Sequence, residues 1–311
     1  MSRVETELES QSDSEIPLIR DIGRYVRNGG GKRVRPAILL LAARMCGYDG
    51  SSATRLGAVV EMIHAATLVH DDIIDNANTR RGQASVNARW GNEITVLIGD
   101  WLYMTSFRVA LAERQFKIID VLIEATRKMV EGELIQLEFN GSLDITEDQH
   151  LDISMRKTAF LFSACSQLGG ILGGVSEEQE ASLRMYGLNI GMAFQLVDDV
   201  LDITSDERTL GKPAQSDLKE GKLTLPLIYL LRDVESSERE MVRSVLRTGN
   251  ATPETQETVA RLIKDSRAAQ RVLEKARNYA EKAKDCLRNF PDGAERNALM
   301  FIPDYIIERD R

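Results

Sequence analysis

The sequence predicts an all-α protein, and three observations carry that expectation. Apolar residues recur at spacings of three and four along most of the chain. Alternation of the kind that marks a half-buried strand is nearly absent, and glycine and proline punctuate the periodic runs at intervals that suit helices. With 311 residues and 43% apolar side chains the chain can bury one large core, so a single domain over 1–311 is expected. The acidic start, MSRVETELESQSDSE, residues 1–15, is expected to be a flexible lead-in.

The periodic runs in order are 37–45, 56–68, 94–111, 118–139, 183–201 and 225–231. Breaks fall at 28–31, 47–50, 81–82, 141, 173–174, 211–213 and 249–253, where glycine, proline and asparagine gather. The stretch AFLFSACSQLGGILGG from Ala159 is interrupted by Ser163, Ser166 and Gln167. It reads as a buried helix that packs closely through small residues. After Glu235 the composition becomes more charged, and helices between a Thr252 N-cap and a stop near Pro291 are expected to form an outer, half-solvated layer.

Net charge narrows the ligand classes. A value of -8 and a pI near 5.2 argue against nucleic acid as the main partner, since phosphate backbones are bound through basic surfaces. A polyanionic ligand would need a local basic patch or bridging cations. Cys46, Cys165 and Cys286 are odd in number and lack CxxC spacing, which suggests small core residues in a reducing cytoplasm rather than disulfides or zinc. No run approaches eighteen uninterrupted apolar residues, so a cytoplasmic protein without stable membrane insertion is expected.

Two stretches carry the chemistry, LVHDDIIDNANTRRG at 68–82 and LVDDVLD at 196–202. Each is a carboxylate cluster at the end of an apolar helical run. At about 100° per residue, Asp71 and Asp75 share a helix face and Asp72 lies beside them, and the spacing recurs in Asp198, Asp199 and Asp202. One such cluster reads equally well as helix-terminal aspartates in solvent. Two of them, each on an apolar stripe and each followed by cations, point to metal. Oxygen-only ligands favour Mg²⁺ over zinc or iron.

The cations are Arg80 and Arg81 after the first cluster and Lys212, Lys219 and Lys222 after the second, with Lys157 and Thr158 as a third basic spot. GGGKRVRPA, 29–37, is a glycine turn feeding a helix start marked by Pro36. With Lys32, Arg33 and Arg35 it reads either as an anion site or as a solvated basic turn. Acid followed by base, twice, suits a phosphate chain held by metals on one side and by lysine and arginine on the other.

DDxxD with RRG four residues on, at 71–82, and FQxxDDxxD followed by GKP and GKxTLP, at 194–226, together resemble the trans-isoprenyl diphosphate synthases, or polyprenyl synthetases. The likeness runs from GGGKRVRP to Arg309 and Arg311 and is greatest to long-chain, octaprenyl-type members. It implies a bundle of ten or more helices around a deep central cavity, a homodimer, and three Mg²⁺ ions shared between the motifs and an allylic diphosphate. Carried over by position, Lys32, Arg35, His64 and Arg81 resemble the isopentenyl diphosphate pocket. Arg80, Lys157, Thr158, Gln195, Lys212 and Lys222 resemble the allylic side. Asp71 and Asp75 would be metal ligands with Asp72 close by, Asp198 would be the main ligand of the second motif, and Asp199 and Asp202 would be secondary.

The implied reaction is ionisation of an allylic diphosphate such as farnesyl diphosphate, condensation with isopentenyl diphosphate, and elimination. Asp71, Asp72, Asp75, Arg80, Lys157, Asp198 and Lys212 would stabilise charge on the departing diphosphate. No side chain reads as a dedicated base, and in this family the departing diphosphate takes the proton. Thr67 and Ala66, four and five residues before the first aspartate, would face the growing chain, with Ile63 further down. All three lack rings, which implies a long all-trans product that partitions into membranes; Phe139 and Phe160 are candidates for the floor.

Three alternatives stay open: a short-chain farnesyl or geranylgeranyl synthase, a terpene cyclase, and a non-catalytic subunit of a heteromeric synthase. A cyclase would not need the GKRVRP pocket, and such subunits lose aspartates that this chain keeps. His64 is a core histidine on its own pattern and a headgroup contact by resemblance. His70 either tunes a carboxylate or packs, and His150, within DITEDQHLD, is expected in solvent. Trp90 and Trp101 are expected at the core or a dimer contact.

Overall fold

The computed structural model describes residues 1–204, 216–249 and 251–309. Helices dominate, as the periodicity predicts, and they fall into two compact units. The first comprises Met1–Thr126, Leu161–Gly187 and Cys286–Leu299, and the second Arg127–Phe160, Leu188–Asp285 and Met300–Arg311.

The first unit opens with α1 (Ser2–Gln11) where the sequence suggests a flexible lead-in. Val4 and Leu8, one turn apart, are buried, and the helix packs on α4. Two apolar residues on one face suffice to dock a segment whose composition is otherwise that of a solvated tail. α2 (Pro17–Asn28) starts on proline and runs into the glycine turn, followed by α3 (Val34–Met45). α4 (Ser52–Ile74) is longer than its apolar stripe, carrying the helix through Asp71 and Asp72 to a cap at Asp75.

After α4 comes a two-residue antiparallel hairpin, Thr79–Arg80 against Gln83–Ala84, too short to show alternation in sequence. Its turn residues, Arg81 and Gly82, both have positive φ (52° and 75°), the backbone that tight hairpins demand. α5 (Val86–Trp90) is capped by Ser85, whose hydroxyl accepts from the Ala88 amide. α6 (Asn92–Leu111) then lies against α4. Ile22, Ala66, Val69, Val86, Ile98 and Leu102 form a core cluster here, with Trp90 and Trp101 packed at its edge.

Among the described residues α6 is the one helix long and apolar enough by length and composition to cross a membrane. Ile98, Leu102 and Val109 on it are core residues, whereas Leu97 and Met104 are 67% and 64% exposed. α7 (Phe116–Phe139) likewise exposes Ile123, Val130, Leu134 and Leu137.

α8 (Glu147–Ser154) begins on a capping box between Thr146 and Gln149 and passes into a π turn, Met155–Ala159, before α9 (Phe160–Gly173). α9 is buried and packed through small residues as expected: a Cβ on Gly169 would stand 2.6 Å from Ala42 Cβ on α3. α10 (Glu177–Thr204) runs through the second aspartate cluster. Further helices span Ser216–Lys219, Leu225–Asp233, Ser236–Thr248, Pro253–Asp265, Ala268–Cys286 and Ala294–Glu308. In Ala268–Cys286 only a stripe is buried, Ala268, Val272, Ala276, Ala280 and Ala283, which gives the half-solvated layer that the charge pattern predicts.

Candidate active site

In the first unit, the last turns of α4 turn three neighbouring carboxylates in different directions. Asp71 and Asp75 are half-buried at the helix end, one turn apart on one face. Asp72, one residue round the helix, is 3% exposed and faces inward. Its Oδ1 accepts from Arg80 Nη2 at 2.6 Å and Nε at 2.8 Å. Burial pushes the Asp72 carboxyl up while Arg80 pulls it down, and burial prevails. Asp72 thus gives one oxygen to Arg80, and the two hold the hairpin to α4.

That hairpin delivers the cations. Arg81 donates to the Gly30 carbonyl, tying the hairpin to the glycine turn. Arg33 is committed to Glu5 at 2.7 Å and Glu61 at 2.8 Å, and the Arg35 guanidinium lies 4.5 Å from the Phe162 ring centroid. His64, Asp72, Arg80 and Arg81 share the wall of a recess of about 900 Å³, including its open mouth, with Tyr25 and Leu68. Lys32 and Arg35, expected in one set with His64 and Arg81, are not part of that wall.

Charge in this recess is unbalanced toward the positive. Burial, then Arg35, Arg81, Arg80 and Arg33, holds the His64 imidazole well below its ordinary range, so it is neutral at pH 7. Arg81 itself is depressed, chiefly by burial and then by Arg33, Arg80 and Arg35 against the pull of Glu61. Cations crowded to this degree are relieved by an anion. His70 Nε2 stands 3.1 Å from the Val96 carbonyl and 3.6 Å from Asp100 Oδ1, both on α6.

Ala66 and Ile63 are fully buried, Ala66 within the core cluster, and neither borders the recess. Thr67 is half-buried one turn before Asp71, its hydroxyl donating to the His64 carbonyl.

In the second unit, α10 sorts its aspartates the same way. The Asp198 side chain is 43% exposed and pairs with Arg309 at 2.6 Å. The Arg309 guanidinium also donates to the Phe194 carbonyl at 2.7 Å and lies over the Phe194 ring. Asp199 is buried, accepting from His150 Nε2 and Gln195 Nε2, both at 2.8 Å. Asp202 is also buried and lies at the start of the helix Ser216–Lys219, accepting from Ser216 Oγ at 2.8 Å and the Asp217 amide at 3.1 Å.

The π turn presents the third basic spot. Lys157 pairs with Glu133 at 2.5 Å and also donates to Gln136, while Thr158 donates to Gln195 Oε1 at 2.7 Å. A π turn displaces side chains from the register of the flanking α-helices, and such turns gather at functional sites. Lys222 is held by Glu220 at 2.7 Å, and Lys212 lies outside the described residues.

Sequence reasoning missed four participants, His150, Arg309, Glu133 and Gln136. His150 is a plain reversal: expected in solvent, it is buried against Asp199. A polar run such as DITEDQHLD gives no hint of a buried side chain, because one residue of an amphipathic turn can face inward while its neighbours stay wet.

For magnesium, the donor chemistry fits. Among the described residues no three His, Cys, Asp or Glu side chains converge into a cage. A helix end with two oxygen-donor carboxylates one turn apart suits an ion that keeps several waters and binds one or two carboxylates together with phosphate oxygens.

Two aspartate-rich helices, each with arginine or lysine at hand, in an all-helical chain define an enzyme that works on diphosphates. The polyprenyl synthetase profile matches residues 16–265, and the chain belongs to that family of prenyltransferases. It is 38% identical over 311 residues to an octaprenyl diphosphate synthase of Escherichia coli (strain K12), covering 100% of this chain and 96% of that one. It is 35% identical over 308 residues to a geranylgeranyl diphosphate synthase of Methanosarcina mazei, covering 96% and 93%. A solved polyprenyl synthase from Caulobacter crescentus CB15, complexed with calcium and isoprenyl diphosphate, superposes with a TM-score of 0.97 at 36% identity, covering 100% of this chain and 95% of that one.

Proposed function

We propose that this prenyltransferase condenses isopentenyl diphosphate with an allylic diphosphate such as farnesyl diphosphate and makes a long all-trans polyprenyl diphosphate. The observation that carries the reading is the pairing of aspartate clusters with cations: His64, Arg80 and Arg81 share a recess wall with Asp72 of the first motif, and Asp198 of the second is paired with Arg309. Asp71 and Asp75, and separately Asp198, are the side chains that would hold Mg²⁺, which supplies charge neutralisation to the diphosphate when bound.

The chain's own groups divide the remaining work. His64 and Arg81, with Lys32 and Arg35, bind the isopentenyl headgroup, and His64 does so as a neutral donor or acceptor. Lys157 and Gln195 bind the allylic diphosphate and stabilise the charge that develops on its bridging oxygen as the carbon–oxygen bond breaks, and Arg80 is given the same role by its place in the first motif. The isopentenyl double bond then attacks the allylic carbon, and the departing diphosphate accepts the proton lost in forming the new double bond. Apolar walls keep water from the cation.

Long product follows from α4, which carries no phenylalanine, tyrosine or tryptophan from Val59 to Leu68. Ala66 lies roughly 7.5 Å along the helix from Asp71. The octaprenyl relative favours the same reading, and the geranylgeranyl relative marks the competing outcome. Homodimerisation is part of the proposal, through the apolar residues that α6 and α7 leave exposed.

The test is product analysis by reverse-phase chromatography after incubation with farnesyl and isopentenyl diphosphates, with Mg²⁺ and with chelator. A product of about octaprenyl length that requires metal is expected; one of geranylgeranyl length or shorter refutes the long-chain reading. Thr67→Phe should shorten it, and Ala66→Phe should do so where the core cluster accommodates the ring.

A further inference from the structure

We propose that His150 is a positioning residue for the allylic-diphosphate site, anchoring Asp199 so that this carboxylate holds in place a hydrogen-bond chain that ends on Gln195 and Thr158. This rests on the reading of Gln195 and Thr158 as the polar edge of that site.

The chain starts in the interior. His150 Nε2 stands 2.8 Å from Asp199 Oδ2, and the two side chains are 9% and 2% exposed. An ionised carboxylate can only accept, so Nε2 carries the proton of this bond. The same rule acts on the other oxygen, where Oδ1 meets Gln195 Nε2 at 2.8 Å. The amide must therefore turn its NH₂ end to Asp199 and its carbonyl away. That carbonyl accepts from the Thr158 hydroxyl at 2.7 Å.

Direction has a consequence at the far end. A threonine hydroxyl has one proton, and here Gln195 receives it, so the rest of the Thr158 oxygen can only accept. Gln195 keeps a second N–H. Both side chains are half-buried at the edge of the π turn that carries Lys157. A phosphate oxygen is itself an acceptor, so Gln195 and Lys157 bind it, while Thr158 binds a donor such as water or an ammonium. His150 acts upstream of that pattern: its Nε2 holds Asp199 Oδ2, which keeps Oδ1 placed to receive the Gln195 amide.

His150→Leu keeps apolar bulk and removes the donor, His150→Gln keeps an N–H of similar reach, and His150→Asn is too short to reach Asp199. Steady-state constants for farnesyl and isopentenyl diphosphates, affinity for an unreactive thio-analogue of the allylic substrate, and melting temperature would be read for each. The leucine and asparagine variants should raise the allylic Michaelis constant and weaken analogue binding about tenfold, the scale of one charge-assisted hydrogen bond, and leave the isopentenyl constant within about twofold. The glutamine variant should recover to within about threefold. Equal impairment by glutamine and asparagine, or a parallel rise in both Michaelis constants, would show a packing role and overturn the inference. So would unchanged analogue binding in all three variants while Gln195→Leu weakens it. If Gln195→Leu also leaves analogue binding unmoved, the allylic reading of this edge is itself wrong, and the inference falls with it.

Discussion

Alanine at Gly132 tests whether the placement of the π turn sets the rate. Gly132 is buried on α7, and a Cβ built there meets Arg156 Cβ at 2.7 Å and the Lys157 amide nitrogen and Cγ at 3.0 Å. Carbon atoms in ordinary contact stand about 3.5–4.0 Å apart, so Arg156 Cβ must retreat by roughly 1 Å. Because Arg156 Cβ and the Lys157 nitrogen belong to the turn's own frame rather than to a flexible tip, the turn must move with them. Overpacking of this kind costs about 1–3 kcal/mol, and alanine in a helix interior returns about 1 kcal/mol over glycine. The net change in stability is therefore small, on the order of 1 kcal/mol, because the two effects oppose. Catalysis has no such offset. Lys157 is aimed by Glu133 and Gln136, and a misplacement of roughly 1 Å can lower the rate on the order of 100-fold. Turnover at saturating isopentenyl diphosphate, measured beside thermal unfolding, should show that loss with a melting temperature changed by only a few degrees. Gly169→Ala drives a Cβ to 2.6 Å from Ala42 Cβ and 2.7 Å from the Ala43 nitrogen, and should cost stability while leaving both Michaelis constants in place. Turnover within about threefold of wild type in a folded Gly132→Ala enzyme would refute the reasoning.

Asp71→Ala and Asp198→Ala should each lower turnover by about a thousandfold or more while the protein stays folded, since both side chains are partly exposed; near wild-type turnover in either removes that aspartate from the mechanism. Lys32→Ala should raise the Michaelis constant for isopentenyl diphosphate far more than that for the allylic substrate, and equal rises would show the division of sites to be wrong. His64 resists protonation in the folded state, whereas in the unfolded chain it protonates near 6.5, so the unfolded state binds the extra proton and stability falls as pH drops below about 6.5. The difference in urea midpoint between pH 7.5 and 5.5 should accordingly shrink in His64→Gln; an unchanged difference means the acid sensitivity lies elsewhere.

Periodicity along the chain was enough to establish the helical class, the buried small-residue helix at 160–173 and the half-solvated helices after Glu235, because each depends on which residues recur at one face. Composition misled at the ends of that scale. α1 docks on two residues, Val4 and Leu8, and the hairpin at 79–84 is two residues a side, both too short for a period to register. Spacing likewise located both aspartate clusters, since i, i+4 geometry is local to a helix. What spacing could not sort was the work within each cluster. Asp72 turns to Arg80, eight residues away; Asp199 turns to His150, 49 residues away; and Asp198 meets Arg309 at a separation of 111. Adjacent aspartates on a helix point about 100° apart, so one can face the interior while the next faces outward. Which one does so depends on where the rest of the chain places a donor, and a buried carboxylate persists only where tertiary packing has supplied one.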